Sequence, residues 1–251
     1  MSAPLLEAIG IGRDFGHFTA IDDVSATFEA NKVTSIIGPN GAGKSTLFNI
    51  LSGALAPTRG SVRFKGQSLA GTPHHRYARL GIARSYQITN VFPELSVHEN
   101  VRVAAQAFRS RYDIWTPRVS LHELDDKAEA ALASVGLSHH RGGAAKYLAH
   151  GEQRALEIAI ALVGDPALLL LDEPTAGMGP EETKATVALI ERLATERTIL
   201  LVEHKMKMIL GLSDRILVLH HGRLIADGTP QDIQSNAEVR RVYLGQSQGY
   251  A

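Results

Sequence analysis

Two short stretches carry residue types and spacings that can do chemistry. The first is Gly38-Pro39-Asn40-Gly41-Ala42-Gly43-Lys44-Ser45, a full match to G-x-x-x-x-G-K-[ST]. Glycines there let backbone N–H groups turn inward and wrap phosphate oxygens, and a helix beginning near Lys44 aims its positive end at them. Lys44 can reach β- and γ-phosphates, and Ser45 offers a hydroxyl to Mg²⁺. The second is Leu168-Leu169-Leu170-Leu171-Asp172-Glu173, four apolar residues followed by two carboxylates. A buried strand delivers both acids at its C-terminal end, where open α/β sheets bind ligands. Asp172 is placed to hold Mg²⁺, mostly through water. Glu173, pointing elsewhere because strand neighbours alternate sides, suits polarising an attacking water.

The elements that must hold these groups are readable around them. Val33–Ile37 is an apolar run suited to a buried parallel strand. It leads into the glycine-rich turn and then a helix over Ser45–Ser52. Leu5–Ile11, Val24–Phe28 and Val62–Phe64 read as short strands punctuated by Gly, Asn and Pro. Helical periodicity takes over in Val97–Phe108, Leu121–Val135 and Glu152–Val163, with irregular pieces at Ile114–Pro117 and Gly142–Gly143. Strands resume at Ala167–Leu171 and Thr198–Val202 around a helix over Glu181–Ala194. A hairpin follows, Ile216–Leu219 with Arg223–Ile225 about His221-Gly222. Strands alternating with helices imply a parallel sheet with right-handed crossovers. The expected organisation is a nucleotide-binding core with a β part over residues 1–87 and 164–251, and a helical subdomain over 88–163.

Composition narrows the class. The 251 residues hold 26 Lys plus Arg against 26 Asp plus Glu, a balance that argues against nucleic acid as the main partner. Hydrophobic residues at 44% permit a packed core. The absence of cysteine excludes disulfides, Cys–zinc sites and a thiol nucleophile. No signal peptide is read at the N-terminus. The apolar runs fall far short of the roughly 20 residues that span a bilayer, so any membrane role is expected to come through a partner.

In the order of its motifs, nearly the whole chain resembles the nucleotide-binding subunit of ABC transporters. That resemblance implies a P-loop NTPase (RecA-like) α/β core with an N-terminal antiparallel β part and an inserted helical subdomain. It implies ATP and Mg²⁺ as cofactors, with Gly38, Asn40, Gly41, Gly43, Lys44, Ser45 and Thr46 on the nucleotide. Within Arg84-Ser85-Tyr86-Gln87, Gln87 takes the place of the family glutamine that contacts Mg²⁺ and the attacking water. His204, ending Leu201-Val202-Glu203-His204, matches a histidine on the γ-phosphate, and Phe15 matches an aromatic that stacks on adenine. The family signature Leu-Ser-Gly-Gly-Gln corresponds to Leu148-Ala149-His150-Gly151-Glu152, putting Ala149, Gly151 and Glu152 on the ATP of an opposing subunit. Ala149 lacks the usual hydroxyl. Gly179, in Ala176-Gly177-Met178-Gly179, stands where an aspartate is usual in the loop that meets the other ATPase chain. These departures suggest a second, different ATPase subunit rather than a standard homodimer.

The histidine doublets His74-His75, His139-His140 and His220-His221 lack supporting ligands in sequence, so no transition metal is assigned. The segments Gly81–Gln87, Val91–Val97 and Leu148–Ala159 are similar to importers of branched-chain amino acids and related amides or urea, in particular to their first ATPase subunit. Such a subunit sits peripherally on the cytoplasmic face of the plasma membrane, bound to permease subunits. Trp115 is a candidate permease contact or, equally, a packing tryptophan. The ending Val239–Gly245 is shared with the lipopolysaccharide-export ATPase, which keeps an exporter as the second reading. A soluble ABC ATPase of translation or DNA repair is the third.

Overall fold

The computed structural model describes residues 4–85, 91–108 and 119–244. Gln87 and Trp115 lie outside them. The chain divides into two compact units, Met1–Tyr77 with Ala194–Ala251, and Ala78–Leu193.

In the first unit, β1 (Leu6–Phe15) and β2 (Phe18–Phe28) form an antiparallel hairpin. β4 (Arg59–Phe64) and the short β5 (Gln67–Ser68) extend it, giving the order β2-β1-β4-β5. Both hairpin strands run further than the sequence pattern predicts. The β1 pairing slips register between Ala8 and Ile11, beside Gly10 at φ 56°, and such a bulge breaks the alternation by which strands are recognised. Along β2 every second residue from Val24 to Phe28 is buried.

β3 (Val33–Ile37) and β8 (Thr198–Val202) are buried along their whole length, as the continuous apolar runs require of strands covered on both faces. β3 runs parallel to β8 on one side and to β9 (Arg215–His220) on the other. β10 (Arg223–Gly228) returns antiparallel along β9. α1 (Lys44–Leu51) buries Leu47, Phe48, Ile50 and Leu51. Ile37, Ile209, Ile216, Val218, Ile233 and Val239 pack together, joining α7 (Met206–Leu212), α8 (Pro230–Ser235) and α9 (Ala237–Val239) to the strands. α7 and α8 escape prediction from sequence because they are too short to repeat a helical period. The same holds for α2 (His74–Leu80), which crosses the boundary between units and buries only Tyr77.

In the second unit, β6 (Ile82–Ser85) lies parallel to β7 (Leu168–Asp172). Beside them stand α3 (Val97–Gln106), α4 (Val119–Val135), α5 (His150–Leu162) and most of α6 (Pro180–Ala194). The helical segment is thus grouped with β6, β7 and α6. α3 begins with a reciprocal cap: Ser96 Oγ accepts the Glu99 N–H at 3.1 Å, while Glu99 Oε2 accepts the Ser96 N–H at 3.1 Å. Among the described residues, no helix is long and apolar enough to cross a membrane.

Candidate functional site

The glycine-rich turn connects β3 to α1. Gly38 has φ 151°, and a Cβ there would stand 2.2 Å from the carbonyl oxygen of Leu219. Gly43, at φ 99°, would bring a Cβ to 2.7 Å from the Ala20 carbonyl oxygen. These glycines are required by close backbone approach, not by sequence habit. The turn is anchored on the β9–β10 hairpin, where the Gly222 N–H donates to the Ala42 carbonyl at 3.0 Å. Lys44 folds over the turn, Nζ donating to the carbonyls of Gly38 at 2.8 Å and Pro39 at 2.9 Å. Asn40, Gly41 and Ser45 are exposed, and Gly43 and Thr46 are half-buried. The turn therefore presents a lysine, hydroxyls and a helix N-terminus on one face, chemistry suited to a polyphosphate.

At the turn end of the hairpin Phe15 is 46% exposed and carries the Arg13 guanidinium 4.7 Å from its ring centroid. Its cross-strand partner Phe18 is 64% exposed. Phe18 is a second flat surface that the sequence motifs did not single out. Beyond β8, His204 is exposed on a loop. The preceding Glu203 is buried, and its Oε2 accepts the backbone N–H groups of His204 at 2.8 Å and Lys205 at 3.3 Å. A buried carboxylate thus fixes the loop that carries His204. A charged residue one position from an apolar strand was the available signal.

In the second unit, the continuous apolar run of β7 buries Asp172 at its end. Its Oδ2 accepts a hydrogen bond from Arg84 Nη2 on the adjacent β6 at 3.0 Å. The Asp172 carbonyl takes Arg154 Nη2 at 2.7 Å, and Arg154 forms a buried ion pair with Glu157. Arg84 and Arg154 do not stand out in sequence, since Asp172, the residue both of them bind, lies on another element. Glu173 has φ 45°, a conformation few non-glycine residues adopt. The Ala176 N–H donates to its carbonyl at 3.0 Å, closing the turn. Such outliers cluster where geometry is tied to function.

The segment Ala149–Glu152 opens α5. Ala149 is the N-cap, with extended backbone and no side-chain cap. Glu152 bends back, Oε2 accepting the Ala149 N–H at 2.9 Å and Oε1 lying 3.0 Å from His140 Nε2. Ligand atoms of His139, His140 and Glu152 fall within 4.8 Å of one another. Tertiary structure thus supplies a neighbour that the His139-His140 doublet lacked in sequence, but both Glu152 oxygens are engaged in capping and in the His140 contact. The Gly151 N–H donates to Glu182 Oε1 at 3.1 Å.

Ser45 in the first unit offers a hydroxyl and Asp172 in the second a carboxylate, each a hard oxygen donor of the kind Mg²⁺ prefers over softer metals.

The profile of the ABC transporter family matches residues 21–176, and that of the branched-chain amino acid ATP-binding cassette transporter matches residues 223–247. The chain is 41% identical to the high-affinity branched-chain amino acid transport ATP-binding protein LivG of Salmonella typhimurium, covering 98% of this chain and all of the relative. It is 40% identical, over the same share, to the corresponding protein BraF of Pseudomonas aeruginosa. Among solved structures, the ADP conformation of an ATP-binding cassette of an ABC transporter superposes with a TM-score of 0.87 at 30% identity, covering 97% of this chain and 100% of that one.

Proposed function

The chain belongs to the ABC transporter family as an ATP-hydrolysing subunit, and from that premise we propose that it powers import of branched-chain amino acids or related amides or urea. The observation that carries the substrate class is end-to-end similarity at 41% identity to a branched-chain amino acid transport ATP-binding protein. The branched-chain amino acid ATP-binding cassette profile also matches the C-terminal segment, residues 223–247; because that segment includes the ending shared with the exporter, the choice of import rests on the full-length similarity.

In this reading, residues 1–87 and 164–251 form the nucleotide-binding core and 88–163 the helical subdomain. Lys44 leaves the carbonyls of Gly38 and Pro39 for the β- and γ-phosphates of ATP. The turn N–H groups cradle the same oxygens, and Phe15 stacks on adenine. Glu173 accepts a proton from the water that attacks the γ-phosphorus as the bond to the β-γ bridging oxygen breaks. Glu203, through the backbone of His204, holds that imidazole toward the γ-phosphate. Ser45, Asp172 and Gln87 would hold Mg²⁺, which would supply neutralisation of phosphate charge.

Ala149, Gly151 and Glu152 face the ATP of an opposing ATPase subunit, so one chain holds only part of each working site. The unusual Ala149 and Gly179 favour a different chain as that partner. ATP joined to both subunits, and lost on hydrolysis, supplies the differential affinity that switches attached permease subunits between states. The complex sits on the cytoplasmic face of the plasma membrane, and the chain meets the membrane only through the permease.

The test is affinity purification from membranes, followed by ATPase assays of the recovered complex in liposomes. We expect a permease pair, a second ATPase chain and stimulation by leucine, isoleucine, valine, an amide or urea with its binding protein. Recovery with lipopolysaccharide-export components overturns the import reading.

A further inference from the structure

Glu182 joins two helix starts with one carboxylate. It is the third residue of α6, and its Oε2 reaches back to the Gly179 N–H at 3.1 Å, the usual return bond of a helix-capping glutamate. Its Oε1 accepts the Gly151 N–H of α5, also at 3.1 Å. The bond from Gly179, then that from Gly151, hold its carboxyl below the usual carboxylate range, with the charge of His150 contributing less. Because Glu152 occupies the Ala149 N–H, the positive end of α5 is met by two carboxylates of its own chain.

We propose that Glu182 is an internal stand-in for phosphate: it holds the Gly151 N–H in the open subunit and yields it when the γ-phosphate of the opposing subunit's ATP arrives. This rests on the signature reading of Ala149–Glu152 given above. A single N–H makes one strong hydrogen bond, and a carboxylate and a phosphate repel at that distance. Docking of nucleotide therefore requires Glu182 to swing away from Gly151. The same carboxylate holds Gly179, at the end of the segment Ala176–Gly179, so the swing also changes the anchoring of that segment. Glu182 thereby sets the ATP concentration at which two subunits close, and transmits arrival of nucleotide from α5 to the start of α6.

The test uses the purified transporter complex. In Glu182→Gln, the amide oxygen still caps α6 but the competing charge is gone. Half-saturating ATP for hydrolysis is expected to fall about threefold to tenfold, reflecting loss of a charge-assisted bond, with kcat retained. Glu182→Ala should shift it in the same direction with a lower Tm. A purely structural role lowers Tm and kcat and leaves half-saturating ATP unchanged or raised in both variants, which overturns the proposal. Gly151→Asp separates the two levels. A Cβ at Gly151 meets Glu182 only at ordinary contact distance, 3.4 Å, so the variant is expected to fold and to lose ATP-driven closure. Closure that persists in it overturns the signature reading and the stand-in together. Lost closure there with an unchanged ATP requirement in Glu182→Gln overturns the stand-in alone.

Discussion

Arg84 Nη2 stands 3.0 Å from Asp172 Oδ2, and both side chains are nearly nine-tenths buried. Asp172 ends β7 and Arg84 is the last residue but one of the neighbouring parallel β6, with Arg84 pairing with Leu170 and Ser85 with Leu171 in register. The carboxylate assigned to the metal therefore already has a cation beside it, held by strand geometry. Removing one partner of a buried pair strands the other charge, at a cost of about 3–5 kcal/mol. Arg84→Met is expected to lower unfolding free energy by about 3 kcal/mol. The double variant with Asp172→Asn is expected to lose clearly less than the sum of the singles. Denaturant titrations check this. Additivity within about 0.5 kcal/mol would mean the two side chains act independently.

Glu173 follows β7 at φ 45°, a strained backbone that fixes where its carboxyl points. Glu173→Gln keeps the shape and removes the proton acceptor. Nucleotide binding, followed with a fluorescent ATP analogue, should persist, while kcat falls about 10²–10⁴-fold, the usual worth of a general base. Full turnover in this variant would take the water-activating role away from Glu173.

The bonds that the buried Glu203 accepts from the His204 and Lys205 N–H groups predict a positioning role for its carboxylate. Glu203→Ala should reduce kcat by about tenfold to a hundredfold, the effect of misplacing a reacting group by an ångström, with a smaller change in KM. Glu203→Gln keeps an acceptor oxygen and should restore most of the loss. Steady-state ATPase kinetics decide. If Gln fails as completely as Ala, the loop does not depend on that acceptor.

How much of this was legible in sequence follows from where the information sits. The phosphate turn and Leu168–Glu173 are local: type and order of adjacent residues carry the chemistry, and the buried strands that flank them are unbroken apolar runs. The hairpin of β1 and β2 was only partly legible, because the register slip near Gly10 interrupts alternation. Arg84, Arg154 and Glu182 were not legible, because each is defined by a partner far along the chain: Asp172, the Asp172 carbonyl and Gly151. Glu203 lies between these cases, being adjacent to His204 but burying its charge for a reason that only the loop geometry discloses.

Ala149 provides the final prediction, because the fold isolates what its missing hydroxyl costs. It occupies the N-cap of α5 with φ −62° and ψ 160°, the extended conformation in which a serine side chain accepts an N–H from the first turn. Glu152 already supplies the return half of a capping box by accepting the Ala149 N–H, so only the forward half is absent. Ala149→Ser completes it and should stabilise the chain by about 1 kcal/mol, raising Tm by about 2–4 °C for a domain of this size. Thermal unfolding of the nucleotide-free chain measures this without any appeal to catalysis. The same hydroxyl is the one the ABC signature ordinarily offers to phosphate, so the variant should also lower half-saturating ATP in the assembled complex. Stabilisation without tighter ATP use would confine the hydroxyl to capping. Tighter use without stabilisation would mean that Glu152 already satisfies the start of α5. If neither changes, Ala149 is not the N-cap that its backbone describes.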